Sequence, residues 1–312
     1  MQTLRASYSS MEEFSLAMNA LGWESNFKQL ERGVGNNSMS LCASENAAVM
    51  LMGLSRRNHH RAIPGAQMRT FGLLASPQAC GRVANRVLDS ESLLHIDSHH
   101  GMDAVIQPGF TGYTMAFSEE RLAKIAELYE LPSPDFAAST PGSERFPGPR
   151  GVAKLRSLLA GVVTLATNGE LAAATNLLEL ELPAAVLSNW MGTPASSPAR
   201  CGNRALVVAR ALEYLDAYPQ EAISVEQLCQ VCACSMSTLE RAFKERFSVS
   251  PKRYLVISRL SGARRALLEG AQERIIGHIA NEWGFWHMSQ FAKDYRQQFG
   301  ELPSETLAIS RT

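Results

Sequence analysis

Three features of this 312-residue sequence predict an α+β fold in two parts. The apolar spacing changes along the chain, from helical to mostly strand-like and back again. A stretch rich in Pro and small polar residues then interrupts it at 193–203. Beyond that stretch, one pattern occurs twice. The prediction is an N-terminal domain over 1–192, built on a β-sandwich or small β-barrel with flanking helices. A linker follows over 193–203, then an all-α domain over 204–312 with two helix-turn-helix units joined by a long helix.

The bulk properties agree with a two-domain globular chain. Hydrophobic residues make up 46% and charged residues 19%, with 30 basic and 30 acidic side chains. That excludes a disordered chain and a polybasic coat protein. The charge is unevenly placed: residues 1–203 carry −2 and residues 204–312 carry +2. The sign at the C-terminal end suits a nucleic acid partner. The six cysteines (Cys42, Cys80, Cys201, Cys229, Cys232, Cys234) are sparse, and the first residues lack an apolar signal core. The best apolar run, Leu158 to Ala166, is far shorter than the roughly 20 residues of a membrane span. These readings predict a cytoplasmic protein with no membrane partner.

Taken in order, Met11, Phe14, Met18 and Leu21 share one face of a helix over 10–21. From about 27 to 117, short apolar segments alternate with Gly, Pro, Asn and Ser breaks, and Tyr113, Met115 and Phe117 alternate at period two. Ser118 and a Glu-rich first turn open a helix that ends before Pro132 and Pro134. Residues 132–150 read as a loop. Helical texture returns over 151–191, with Leu155, Leu158, Leu159, Val162 and Val163 on one stripe and Leu177, Leu178 and Val186 in a second helix.

The repeat carries the functional reading. Leu228, Cys229, Ala233, Met236, Ser237, Leu239, Arg241, Phe243, Phe247, Pro251 and Leu255 recur as Ile279, Ala280, Gly284, Met288, Ser289, Phe291, Lys293, Tyr295, Phe299, Pro303 and Leu307. The offset is 51 residues before the turn and 52 after it, so the second turn holds one extra residue. Each copy reads as a short helix, a tight turn and a second helix with apolar residues at i, i+4 and i+8, the pattern of a helix-turn-helix. Its second helix fits a major groove, where polar side chains near the N-terminus reach base edges. Residues 251–268 form one long helix between the copies, placing two recognition helices about one DNA turn, roughly 34 Å, apart.

With these residues in place, 204–307 resembles the DNA-binding domain of the AraC/XylS family of regulators. The resemblance rests on Ser250-Pro251 with Tyr254, on Arg259-Leu260 with Ala263-Arg264, and on Ile279-Ala280, Gly284-Phe285, Phe291, Tyr295, Phe299-Gly300 and Pro303. Gly284-Phe285-Trp286-His287 resembles the branch that includes ethanolamine-utilisation regulators. Two positions depart from the family: Ala233 stands at the first turn Gly, and Ser248 at the Gly after the first recognition helix. The resemblance implies DNA contacts from Ser237, Glu240, Arg241 and Lys244, and from Ser289, Gln290, Lys293 and Arg296. Arg241 is the strongest base reader, because a guanidinium engages guanine O6 and N7 together. Arg259, Arg264 and Arg265 on the connecting helix read either as phosphate contacts or as solvated cations. The N-terminal domain resembles the ligand-sensing, cupin-like barrels that precede such modules, with residues 155–165 as either the dimer helix or a helix packed on its own barrel. That implies a homodimer, a small-molecule effector of unassigned identity and site, double-stranded promoter DNA, and RNA polymerase as a further partner.

Other clusters read as structural. Cys229, Cys232 and Cys234 pack as small apolar residues. His95, His99 and His100 lie at surface or turn positions, and His59-His60 lies in an exposed basic loop beside Arg56, Arg57 and Arg61. Trp286 covers the edge of the core. The sequence holds no phosphate loop, no His-Glu-x-x-His and no Gly-x-Ser-x-Gly, so no catalytic residue, metal or cofactor is assigned. Two readings compete with an effector-controlled regulator. One is a ligand-independent constitutive or architectural regulator. The other is an enzyme with a DNA-binding appendage, using Cys42 or Cys80.

Overall fold

The computed structural model describes residues 1–79, 81–83, 86–132, 144–192, 202–269 and 275–309. The N-terminal part begins with β1 (Gln2–Tyr8), α1 (Met11–Ala20) and β2 (Glu24–Gln29). Nine further strands follow: β3 (Asn37–Ala43), β4 (Ala47–Leu54), β5 (Asn58–Ile63), β6 (Met68–Leu74), β7 (Gly81–Val83), β8 (Arg86–Val87), β9 (Leu93–Ile96), β10 (Met102–Ile106) and β11 (Phe110–Ser118). Then come α2 (Glu119–Leu128), the short β12 (Glu144–Arg145), α3 (Gly148–Thr167) and α4 (Leu171–Asn176). A π-helical turn (Leu177–Glu181) and α5 (Leu182–Met191) complete this part.

The strands form two antiparallel sheets. One runs β1-β3-β4-β11-β6-β9-β12 and the other β2-β5-β10-β7-β8. Neither sheet closes on itself or on its neighbour, which corrects the expected cupin-like β-barrel. The reason lies in the two-sided burial of the larger sheet. Along β4, Ala47 and Val49 face one apolar cluster, with Phe71, Leu93, Met115 and Phe117. Met50, Met52 and Leu54 face another, with Phe27, Ala104 and Ile106 of the second sheet and Met11, Phe14 and Met18 of α1. A sheet apolar on both faces needs a partner layer on each side, and open stacking supplies both.

The outer layer is helical. Leu155, Leu159 and Val162 of α3 are fully buried against the large sheet. So are Leu178, Leu182, Val186 and Leu187 from the continuous helical segment Leu171–Met191. That segment is long and apolar enough to span a membrane by length and composition alone, but its apolar side here meets the sheet. The stripe expected to form a dimer contact is thus largely spent on the chain's own core.

The C-terminal part is all helical: α6 (Asn203–Ala217), α7 (Val225–Val231), α8 (Met236–Phe247), α9 (Pro251–Leu268), α10 (Ile276–Glu282), α11 (Met288–Phe299) and α12 (Pro303–Ile309). The two copies align element for element, α7-α8 with α10-α11. Four residues separate the first pair and five the second, which accounts for the repeat offset. The first half of α9 (Tyr254, Leu255, Ile257) joins the core of the first unit. Its second half (Leu260, Ala263, Leu267) joins that of the second. Most of the predicted linker, residues 193–201 with Cys201, lies outside the described residues, as do Cys80 and most of the loop over 132–150.

Both departures from the family pattern fall in the left-handed region: Ala233 at φ 49° and Ser248 at φ 61°, against Gly284 at 76° and Gly300 at 83°. A Cβ there costs about 1 kcal/mol. Ala233→Gly and Ser248→Gly are each expected to raise the unfolding free energy by about 1 kcal/mol, read from urea midpoints.

Candidate nucleic-acid interface

Each recognition helix is fixed by one buried row. Leu239, Phe243 and Phe247 are fully buried on α8; Phe291, Tyr295 and Phe299 are nearly so on α11. This leaves Ser237, Arg241 and Lys244 exposed on α8, with Glu240 half-buried. Ser289, Gln290, Lys293 and Arg296 are exposed on α11. The structure therefore gathers the expected contact residues on the outer faces of the two helices. Arg241 pairs with no acidic side chain among the described residues, whereas Lys244 Nζ lies 3.5 Å from Glu240 Oε2. On α11, Gln290 Nε2 donates to Asp294 Oδ1 at 2.9 Å. The helix starts differ: Ser235 caps α8 by accepting from the Thr238 N–H, while His287 at the start of α11 gives no side-chain cap.

The three α9 arginines expected at phosphates are not equivalent. Arg264 is 1% exposed. Its Nη2 lies 2.9 Å from Glu301 Oε1, and its Nε lies 3.4 Å from Oε2 of the fully buried Glu12 on α1. Its guanidinium carbon stands 4.6 Å from the Phe299 ring centre. Enclosed in this way, Arg264 has no face for a phosphate in this arrangement, contrary to the sequence expectation. Arg259 is half-buried over Phe285, 5.4 Å from its ring centre. Arg265 is half-buried.

Glu12 and Arg264 belong to a polar seam joining the second sheet and α1 to both helix-turn-helix units. At the first unit, Tyr254 Oη lies 2.7 Å from His59 Nδ1, and His59 Nε2 lies 3.0 Å from Asp103 Oδ1. Arg246 Nη2 donates to the same Asp103 oxygen at 2.5 Å. At the second unit, Gln298 Nε2 donates to the Gln29 carbonyl at 2.7 Å, and the Gly33 N–H donates to the Gln298 carbonyl at 2.9 Å. Sequence reasoning missed this seam. His59 and His60 lie on β5 and are each 1% exposed, not in an exposed loop. His95 is buried on β9, while His99 and His100 occupy an exposed turn.

The seam sets its own protonation. Burial lowers His59 despite the opposing charge of Asp103, with its Nε2 facing the Asp103 carboxylate and its Nδ1 the Tyr254 hydroxyl. Burial alone would raise the Asp103 carboxyl, but His59 and Arg246 outweigh it and hold it well below the usual carboxylate range. Burial raises Glu12, against the charge of Arg264. Burial also pushes His60 down to about 3, His95 to about 4 and Lys28 to about 8. The cysteines of the first unit pack as expected: Cys232 is buried, its Sγ donating to the Val207 carbonyl at 3.4 Å. No group of three metal-ligating side chains gathers among the described residues.

A family model described as a helix-turn-helix domain matches residues 228–309. The chain is similar to the "Probable thc operon regulatory protein" of Rhodococcus erythropolis, 37% identical over 103 residues. That match covers 32% of this chain and 31% of the relative. It is also similar to a "XylDLEGF operon transcriptional activator" of Pseudomonas putida, 34% identical over 99 residues and covering 31% of each. The chain thus spans about a third of the length of these curated relatives. Among solved structures, a probable AraC family transcriptional regulator from Rhodopseudomonas palustris CGA009 is 33% identical. It covers 34% of this chain and 98% of its own, with a TM-score of 0.32.

Two outcomes follow from these buried groups. Arg264→Ala leaves Glu12 buried without its cation and is expected to cost about 3–5 kcal/mol in urea unfolding, while leaving the salt dependence of DNA binding unchanged. Stability is also expected to fall as pH drops from roughly 6.5 toward 4. The folded-state pKa values of His60 and His95 are depressed, so in that window the unfolded chain binds protons that the folded chain refuses. Urea midpoints across this range check the direction, and His60→Gln should flatten the slope.

Proposed function

We propose that the helix-turn-helix region is of the AraC/XylS type and that the whole protein is a sequence-specific transcription regulator acting on double-stranded promoter DNA. One observation carries the reading. Two recognition helices, locked by buried aromatic rows to a single connecting helix, both turn exposed polar and basic residues outward. Ser237, Arg241 and Lys244 serve the first, with Glu240 beside them, and Ser289, Gln290, Lys293 and Arg296 the second. Arg241 is the principal base reader, its guanidinium exposed and free of carboxylate partners among the described residues.

The division into 1–192, 193–203 and 204–312 belongs to this proposal, as do a cytoplasmic site of action, a homodimer and contact with RNA polymerase. A small-molecule effector acts by binding one arrangement of the two parts more tightly than another, because equal affinity would shift nothing. The polar seam supports this reading, since it is the contact such a shift would alter. The ethanolamine-utilisation branch rests on the Gly284-Phe285-Trp286-His287 turn alone.

Binding of the full chain to the DNA upstream of its own gene tests the proposal. A preference for that DNA over random duplex at physiological salt is expected, and equal affinity rejects the regulator reading. Arg241→Ala is expected to cost about 1–3 kcal/mol on the preferred site and to relax discrimination at one base pair.

A further inference from the structure

Trp286 is 72% exposed, more than any other large apolar side chain among the described residues. Its surroundings keep it there. Trp283 lies against α9, where a Cβ on Gly262 would come within 2.1 Å of its ring. Phe285 packs on Phe291, with ring centres 5.0 Å apart. Gly284 turns the chain at φ 76° between these two anchors. With Trp283 and Phe285 held inward, the next residue projects outward. It belongs to the five-residue turn that is one residue longer than its counterpart in the first unit.

The position of this side chain matters more than its exposure. Trp286 stands two residues before Met288, the first residue of α11, and a docked recognition helix presents that end to the base edges. Met288, Ser289, Gln290 and Lys293 are exposed beside it. Lys293 and Arg296 make this face basic, and the only acidic side chain close by on α11, Asp294, accepts from Gln290. A large apolar ring on a basic rim matches a duplex groove, whose phosphate walls are anionic and whose pyrimidine edges carry the thymine methyl as their apolar group. A flat indole also brings large contact area with few rotors to immobilise.

We infer that Trp286 is a specificity-determining residue of the second recognition unit, its indole packing on the C5-methyl group of a thymine in the major groove. This rests on the DNA-reading proposal above and adds a contact that the helical spacing of α11 does not supply.

The test uses the full chain and duplexes it selects from a random-sequence library, with wild type, Trp286→Ala and Trp286→Phe compared by fluorescence anisotropy. Equal thermal midpoints for the three proteins are expected, since the ring touches solvent. Trp286→Ala is expected to lose about tenfold or more in affinity for the selected duplex while its affinity for random duplex stays near wild type, with Trp286→Phe between. Replacing thymine by uracil at one position of the second half-site removes only the methyl. That should weaken wild type about fourfold, the factor for burying one methyl group, and leave Trp286→Ala unchanged. Uniform loss on selected and random duplex, with no uracil effect, places the indole on the backbone and overturns the inference. Wild-type DNA binding by Trp286→Ala also overturns it, and if transcription is nevertheless impaired the result points to a protein partner. A wild-type chain that selects no preferred duplex overturns this inference together with the regulator reading.

Discussion

Glu12 and Arg264 place a carboxylate and a guanidinium in contact where neither reaches water. Neither side chain could be buried alone at a tolerable cost, because an unpaired ion loses several kcal/mol of hydration. Together with Glu301 they form a compact charge group whose members come from α1, α9 and the turn before α12. Such a group adds little net stability compared with apolar packing, but it tolerates few geometries. Its consequence is positional. Met11, Phe14 and Met18 seat α1 in the cluster between the two sheets, so the place of Glu12 is dictated by the sandwich. Arg264 sits on the helix that both helix-turn-helix cores share. The arrangement of the sheets and that of the reading helices are therefore tied through one ion pair.

Further contacts across this boundary are polar. Tyr254, His59, Asp103 and Arg246 form one hydrogen-bonded chain, and Gln29 and Gln298 form another. Apolar burial is concentrated inside each part, with Leu30 and Val105 the sheet-side members of the first unit's core. A seam of this composition differs from a core. Water can replace each of its hydrogen bonds when the parts separate, so opening costs far less than the same area of packed hydrocarbon. It also leaves the start of both recognition helices uncovered. The boundary thus fixes the relation between the two helix-turn-helix units while remaining a contact that opens at modest cost.

How much was legible in the sequence follows from the range of the interactions. The duplicated rows of α8 and α11 were readable because helical spacing is local, and the 51- and 52-residue offsets located even the longer turn. The strands were visible as alternation, but alternation does not say how many layers cover them. The two-sided burial of β4, a property of distant partners, decided against closure. β1 escaped notice because its residues are mostly exposed, giving no apolar signal. His59, His60 and Arg264 were read as solvated for the same reason: a charged or titratable residue looks exposed until its partner is known. The partners of Arg264 and His59 lie 252 and 195 residues away. Trp286 erred in the opposite direction, since an aromatic residue is assumed to be buried until the turn that carries it is seen to be anchored by its neighbours.

The same seam explains how the first helix-turn-helix unit tolerates the chemistry that sets it apart from the second. Ser248 ends α8 in the left-handed region, where Gly300 ends α11 without penalty. The two residues before Ser248 are those gripped from outside. Arg246 is bound to Asp103 through both its carboxylate and its backbone carbonyl, and Phe247 lies against His59 with ring centres 4.9 Å apart. A hydrogen bond between two charged groups is about twice as strong as a neutral one, enough to offset the roughly 1 kcal/mol that a Cβ costs at that backbone angle. In the second unit the glycine removes the strain locally. In the first, the helix end is held in shape by the N-terminal sheet. The geometry of the α8 recognition helix therefore depends on the domain contact more than that of α11 does. Loosening the seam acts first on the unit that carries Arg241.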